Sequence, residues 1–216
     1  MYNSYLEHSE WSIIESGFKK ENHMSSESIF SLGNGIFGQR GNFEEDYSGC
    51  KLDGNYVGGI FFPDKTKVGW WKVGYPNYFA KTVNCPSWIR LSIKLDGELL
   101  DLNKVKVNSY RKELNMKHGV LRRTFECELI NGKKIKVESE RFISLKIQEI
   151  GMLRYTITSL NFDCDITIRS FIDENVVNVD SNWNEQFLKT EKIIQNDNST
   201  FIKSKVLKTD FEICSF

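Results

Sequence analysis

From about residue 87 onward, apolar and polar positions alternate with a period of two. Ile89, Leu91, Ile93 and Leu95 are separated by Arg90, Ser92 and Lys94. Asp96-Gly97 follows, and Glu98 to Leu102 runs back. That dipeptide tolerates positive φ at both centres of a type I′ turn, so the segment predicts a β-hairpin. In a second hairpin Leu121, Arg123, Phe125, Cys127 and Leu129 share one side, and Arg122, Thr124, Glu126 and Glu128 share the other. Asn131-Gly132 turns it, with Ile135 and Val137 returning on the apolar side. Leu153, Tyr155 and Ile157 alternate with Arg154, Thr156 and Thr158, and Cys164, Ile166 and Ile168 with Asp165, Thr167 and Arg169. Strands with one dry and one wet face belong to antiparallel sheets rather than to a parallel sheet buried on both sides. The predicted fold is all-β, a large antiparallel β-sandwich.

Other segments read differently. No long apolar stripe of period 3.6 is present, and Asn182–Lys192 is the best helical candidate. Residues 41 to 86 hold all three prolines and many of the glycines, and predict an aromatic-rich loop region with short strands near Tyr56 to Phe62. Alternation resumes at Thr200 and persists to Phe216, which predicts a strand at the very end of the sequence. An edge of that kind is normally covered. The expectation is therefore a sandwich truncated at its C-terminal end, the front piece of a longer protein, with residues 1–216 forming one domain.

Composition narrows the function classes. Among 216 residues, 29 Lys and Arg balance 29 Asp and Glu. Zero formal charge argues against a nucleic-acid binder or a membrane-surface protein driven by basic charge. No run of about 18 apolar residues occurs, and the start lacks a basic segment followed by an apolar one, so neither a membrane span nor a signal peptide is expected. Five dispersed cysteines without a CxxC predict a reducing, cytoplasmic setting and no thiolate metal site.

The candidate motifs are each open to a plain structural reading. Gly33-Asn34-Gly35-Ile36-Phe37-Gly38 fits G-x-G-x-x-G after the strand-like run Ser28–Leu32, with Asp53 twenty residues on. A dinucleotide site needs a helix directly after the glycines, and Gln39-Arg40-Gly41-Asn42 does not supply one. A glycine-rich turn between strands is expected instead. Glu44-Glu45-Asp46 reads as a solvated turn, because its flanks promise no burial that would raise a carboxylate pKa. His8, His23 and His118 lack metal or triad spacing. The aromatic group Trp70, Trp71, Tyr75, Tyr78 and Phe79 has two readings. Its rings either stack on sugar faces or pack the loop against the fold, the second being the weightier.

Glu27-Ser28-Ile29-Phe30-Ser31-Leu32-Gly33-Asn34-Gly35 and Gly38-Gln39-Arg40-Gly41-Asn42-Phe43-Glu44-Glu45 together resemble the N-terminal domain of glycoside hydrolase family 65. The resemblance continues in order through Trp11, Glu15 and Gly17-Phe18, then Tyr110 to Arg123, Arg141 to Leu145, Arg154 to Thr158 and Arg169 to Asp173. Asn115 stands where the family pattern has Asp. The segment Phe62–Lys72 is most similar to maltose-phosphorylase-like members. The resemblance implies a β-sandwich joined to a helical (α/α) barrel that bears the catalytic Glu. It also implies an inverting reaction with inorganic phosphate as co-substrate and no cofactor. No residue here inherits a catalytic role. The implied partners are the chain's own C-terminal barrel, a disaccharide and a second subunit in a homodimer. The rival reading is a free-standing carbohydrate-binding module.

Overall fold

The computed structural model describes residues 5–66, 73–130, 132–163, 165–179 and 185–216. The elements in chain order are β1 (Leu6–His8), β2 (Ser12–Ser16), a 3-10 turn (Lys20–Asn22), α1 (His23–Ile29), β3 (Leu32–Gly33), β4 (Phe37–Gln39), β5 (Asn55–Val57), β6 (Phe61–Lys65) and β7 (Tyr78–Thr82). There follow β8 (Ser87–Leu95), β9 (Glu98–Leu99), β10 (Lys106–Asn115), β11 (Val120–Glu128), β12 (Lys134–Ile143), β13 (Gly151–Ser159), β14 (Ile166–Asp173), β15 (Leu188–Asn196), β16 (Ser199–Val206) and β17 (Glu212–Ser215). The chain forms two compact units: Met1–Asp53 with Ile89–Phe171, and Gly54–Trp88 with Ile172–Phe216.

The first unit is built on a six-stranded antiparallel sheet in the order β1-β2-β10-β11-β12-β13. Its inward positions form rows across the strands. One row is apolar: Tyr110 lies opposite Phe125, Phe125 opposite Val137, and Val137 opposite Ile157. These side chains share a buried core with Ile93, Leu95, Leu100 and Leu102 from the β8–β9 layer, as the sandwich expectation requires. Fully burying each such side chain is worth roughly 1.5–3 kcal/mol. Asp96 and Gly97 both have positive φ, 49° and 83°, which is the turn that the Asp-Gly pair predicts. Asn131 of the second turn lies outside the described residues, and its partner Gly132 has φ 81°.

The second unit pairs β6 with β7 and β15 with β16 and β17, all antiparallel. Its core joins Phe62, Val83, Cys85, Val176, Phe187, Leu188, Val206 and Ile213. Phe62 and Phe187 stack with centroids 4.1 Å apart and planes 6° from parallel.

Three expectations need correction. Residues 188–192 of the helical candidate belong to strand β15, while 182–184 lie outside the described residues. A register shift between Thr190 and Lys192 inserts a bulge, which breaks the period-2 pattern that would have marked the strand. Ser28 and Ile29 end helix α1 rather than forming a strand. Ile166 and Ile168, expected on a dry face, are 38% and 51% exposed, because β14 is the marginal strand of the β14-β8-β9 sheet. Cys164 lies outside the described residues.

Candidate functional site

The next inward row of the large sheet is polar. Glu15 of β2 lies opposite Lys112 of β10, which lies opposite Arg123 of β11. Arg123 faces Ser139 of β12, and Ser139 faces Tyr155 of β13. All these side chains except the half-buried Tyr155 are buried, as is Arg141 one inward position along β12. The row is closed over by α1 and by the loop after β4, which supplies Asn42, Phe43, Glu44 and Glu45.

Glu44 and Glu45 are 2% and 0% exposed, so the solvated-turn expectation is wrong. The guanidinium of Arg123 holds both. Its Nη1 donates to Glu45 Oε1 at 2.6 Å, and its Nη2 donates to Glu44 Oε2 at 2.5 Å and also to Glu45 Oε2. Arg141 Nη1 reaches Glu44 Oε1 at 3.1 Å, while Nη2 donates to the Arg40 carbonyl at 3.0 Å. Ser139 Oγ and Tyr155 Oη donate to Glu44 and Glu45 at 3.3 Å and 3.1 Å. The Phe43 ring lies 4.2 Å from the Arg123 guanidinium carbon, a cation–π contact.

A second group adjoins it. Lys112 Nζ donates to the Gly41 carbonyl at 2.7 Å and to Ser26 Oγ at 3.0 Å, and Ser26 Oγ donates onward to Glu15 Oε2 at 2.6 Å. Glu27 accepts from Asn42 Nδ2 at 2.8 Å and from the Leu52 N–H at 2.6 Å. His23 lies 3.2 Å from Glu27, with its ring against Phe43 and Tyr47. The backbone enters this packing too: a Cβ on Gly41 would fall 2.9 Å from Phe30 Cβ and 3.0 Å from the Phe30 carbonyl oxygen, so only glycine fits there.

The electrostatics follow from burial and pairing. Burial raises the Glu44 pKa, but the guanidiniums of Arg123 and Arg141 outweigh it and hold the carboxyl below its ordinary value. Burial, only partly offset by Glu15, lowers Lys112 to about 7. Burial and then Glu45 push the Cys127 thiol up to about 12, which leaves it inert. A general acid needs a raised carboxyl pKa and an opening for substrate. This cluster gives Glu44 a lowered one and fills the space with guanidinium and aromatic rings. Its chemistry is ion pairing.

The remaining candidates are dispersed. Tyr78 and Phe79 stand on β7, opposite Lys65 and Asp64. Tyr75 and Tyr78 are exposed, and Tyr75 meets the ring of Phe79 edge-on at 6.0 Å. Trp70 and Trp71 lie outside the described residues. The Gly33–Gly38 segment forms the β3–β4 hairpin, not a strand-to-helix turn. Asn115 Oδ1 accepts the His118 N–H at 3.1 Å, a bond that an Asp carboxylate makes equally well. Among the described residues, no group of three or more His, Cys, Asp or Glu is arranged to hold a metal. One signal for the cluster was readable in the sequence: Arg123 sits in phase with Leu121 and Phe125, a charge on a dry face that demands buried partners.

The chain is similar to proteins about four times its length. It is 42% identical to a maltose phosphorylase of Bacillus subtilis (strain 168) over 202 residues, 94% of this chain and 27% of that protein. It is 31% identical to an alpha,alpha-trehalose phosphorylase of Thermoanaerobacter brockii over 203 residues, 93% of this chain and 25% of that one. Among solved structures, a putative kojibiose phosphorylase from the human microbiome superposes with a TM-score of 0.84 at 32% identity. That match covers 95% of this chain and 27% of the other. The chain thus spans about a quarter of the length of these relatives. The family model for the N-terminal domain of glycosyl hydrolase family 65 matches residues 13–216, and the chain belongs to that family as its N-terminal domain.

Proposed function

We propose that this chain is the non-catalytic β-sandwich of an inverting disaccharide phosphorylase with a maltose-type substrate. The reading rests on one observation. Most of the segments that carry the family resemblance converge in a closed ion-pair cluster, with Glu44 and Glu45 both held by Arg123. Such a cluster stabilises an architecture and transfers no proton. Bond cleavage then falls to a helical barrel in the rest of the full-length protein. There a Glu protonates the glycosidic oxygen while inorganic phosphate attacks the anomeric carbon from the opposite face. The 42% identity to a maltose phosphorylase favours maltose over trehalose or kojibiose. No cofactor is required. The protein works in the cytoplasm as a homodimer, which light scattering would register as twice the subunit mass.

Within that enzyme, the aromatic group Trp70, Trp71, Tyr75, Tyr78 and Phe79, the last two on β7, serves a sugar site, and exposed Tyr75 and Tyr78 are available for stacking. The direct test incubates the full-length protein with maltose, trehalose or kojibiose, with and without phosphate. Glucose 1-phosphate of inverted configuration, released from maltose and only with phosphate, is the expected result. Glucose release independent of phosphate would replace phosphorolysis with hydrolysis. In the same assay Trp71→Ala raises KM more than it lowers thermal stability. An unchanged KM with reduced stability would leave the group a packing element.

A further inference from the structure

We infer that the β3–β4 hairpin and the loop joining β12 to β13 form the docking surface for the catalytic domain of the full-length polypeptide. This rests on the reading above that such a domain is present. The two loops are built as one piece. Asn34 at the hairpin tip accepts the N–H groups of Ile36 and Phe37 on its Oδ1, at 2.9 Å and 3.0 Å. The Nδ2 of the same side chain donates to the carbonyls of Ser144 and Gln148 in the other loop, both at 2.8 Å. Within that second loop Ser144 Oγ accepts from Lys146 N at 3.2 Å and Ile147 N at 3.0 Å, and Ser144 N donates to the Ile150 carbonyl at 2.9 Å.

The bonds fix the backbone, yet the side chains on display are aliphatic. Leu145 is 77% exposed, Ile147 52%, Ile36 43% and Ile150 41%. Connectors serve with polar side chains. Ordered loops that hold several aliphatic side chains in water mark an interaction surface. Pre-organisation of this kind lowers the entropy cost of association. The occupant follows from length. This chain spans 27% of the maltose phosphorylase that it resembles, so nearly three quarters of such a protein remains to be seated against this domain.

Accessibility in the full-length protein tests this. Leu145→Cys and, as a control on the outer face of β13, Thr156→Cys are placed singly and labelled with a maleimide, with modification read peptide by peptide by mass spectrometry. Both positions are exposed here, so neither change disturbs packing. The docked arrangement predicts labelling at residue 145 at least tenfold slower than at residue 156. Equal rates in the longer polypeptide would overturn the docking surface and leave the functional reading intact. Protection that disappears on dilution would also overturn it, by assigning the surface to a second copy of the chain. A gene product with a mass of only 25.1 kDa would overturn both the docking surface and the functional reading beneath it.

Discussion

Arg123 shares one guanidinium between two buried carboxylates, and that arrangement fixes what its loss would do. Arg123→Met leaves Glu44 and Glu45 in the interior without their principal cation, at an expected cost of about 3–5 kcal/mol. Urea unfolding would measure it, and a loss below about 1 kcal/mol would mean that the pairs contribute little. Arg123→Lys is expected to recover only part, because an ammonium cannot fork to two carboxylates in a plane. Lys112 gives a pH signature. Its folded pKa of about 7 lies below the ordinary 10.5, so between those values the unfolded chain binds a proton that the folded chain has released. Stability relative to a Lys112→Met variant therefore rises from pH 7 toward 10, by at most about 1.4 kcal/mol per pH unit. It is lowest at and below pH 7. Glu44 acts at the acid end: its stabilisation is present above 4.5 and is lost as pH falls through the depressed folded value. A stability difference between wild type and Lys112→Met that stays flat from pH 7 to 10 would show that Lys112 keeps an ordinary pKa.

At the scale of elements, strands were legible and the helix was not, for a common reason. Pattern reading assumes that what faces inward is apolar. On β11 the in-phase arginine did not hide the strand, since Leu121, Phe125 and Cys127 still carried the period. Helix α1 buries His23, Ser26 and Glu27, at i, i+3 and i+4, so its inward stripe is polar and lacks the apolar face by which a helix is recognised. The bulge in β15 concealed that strand in the same way, by breaking the count of two. The burial of the carboxylate pair depends on partners far along the chain, Arg123 and Arg141, which local flanks cannot reveal. The close approach of the β4 exit to α1 gives this scale its prediction. Gly41→Ala drives a methyl group into Phe30 and is expected to destabilise by roughly 1–3 kcal/mol. A thermal midpoint unchanged by that variant would mean that the two segments can part without penalty.

For the whole molecule, the sandwich and the family membership were readable, because alternation recurs from about residue 87 onward and the ordered motifs extend from Trp11 to Asp173. The aromatic group was readable only as composition: Tyr75 and Tyr78 are exposed, but a stacking surface depends on what stands opposite. The central claim is that the family's signature residues in this domain hold an architecture and leave the chemistry elsewhere. The most direct measurement compares the full-length protein with its Glu45→Gln variant, reading kcat for the proposed phosphorolysis and the unfolding temperature on the same preparation. The predicted result is a lowered Tm, with kcat per folded molecule within about twofold of wild type well below that temperature. A kcat reduced by about a hundredfold or more, the scale of a lost acid–base group, with Tm unchanged would contradict the claim.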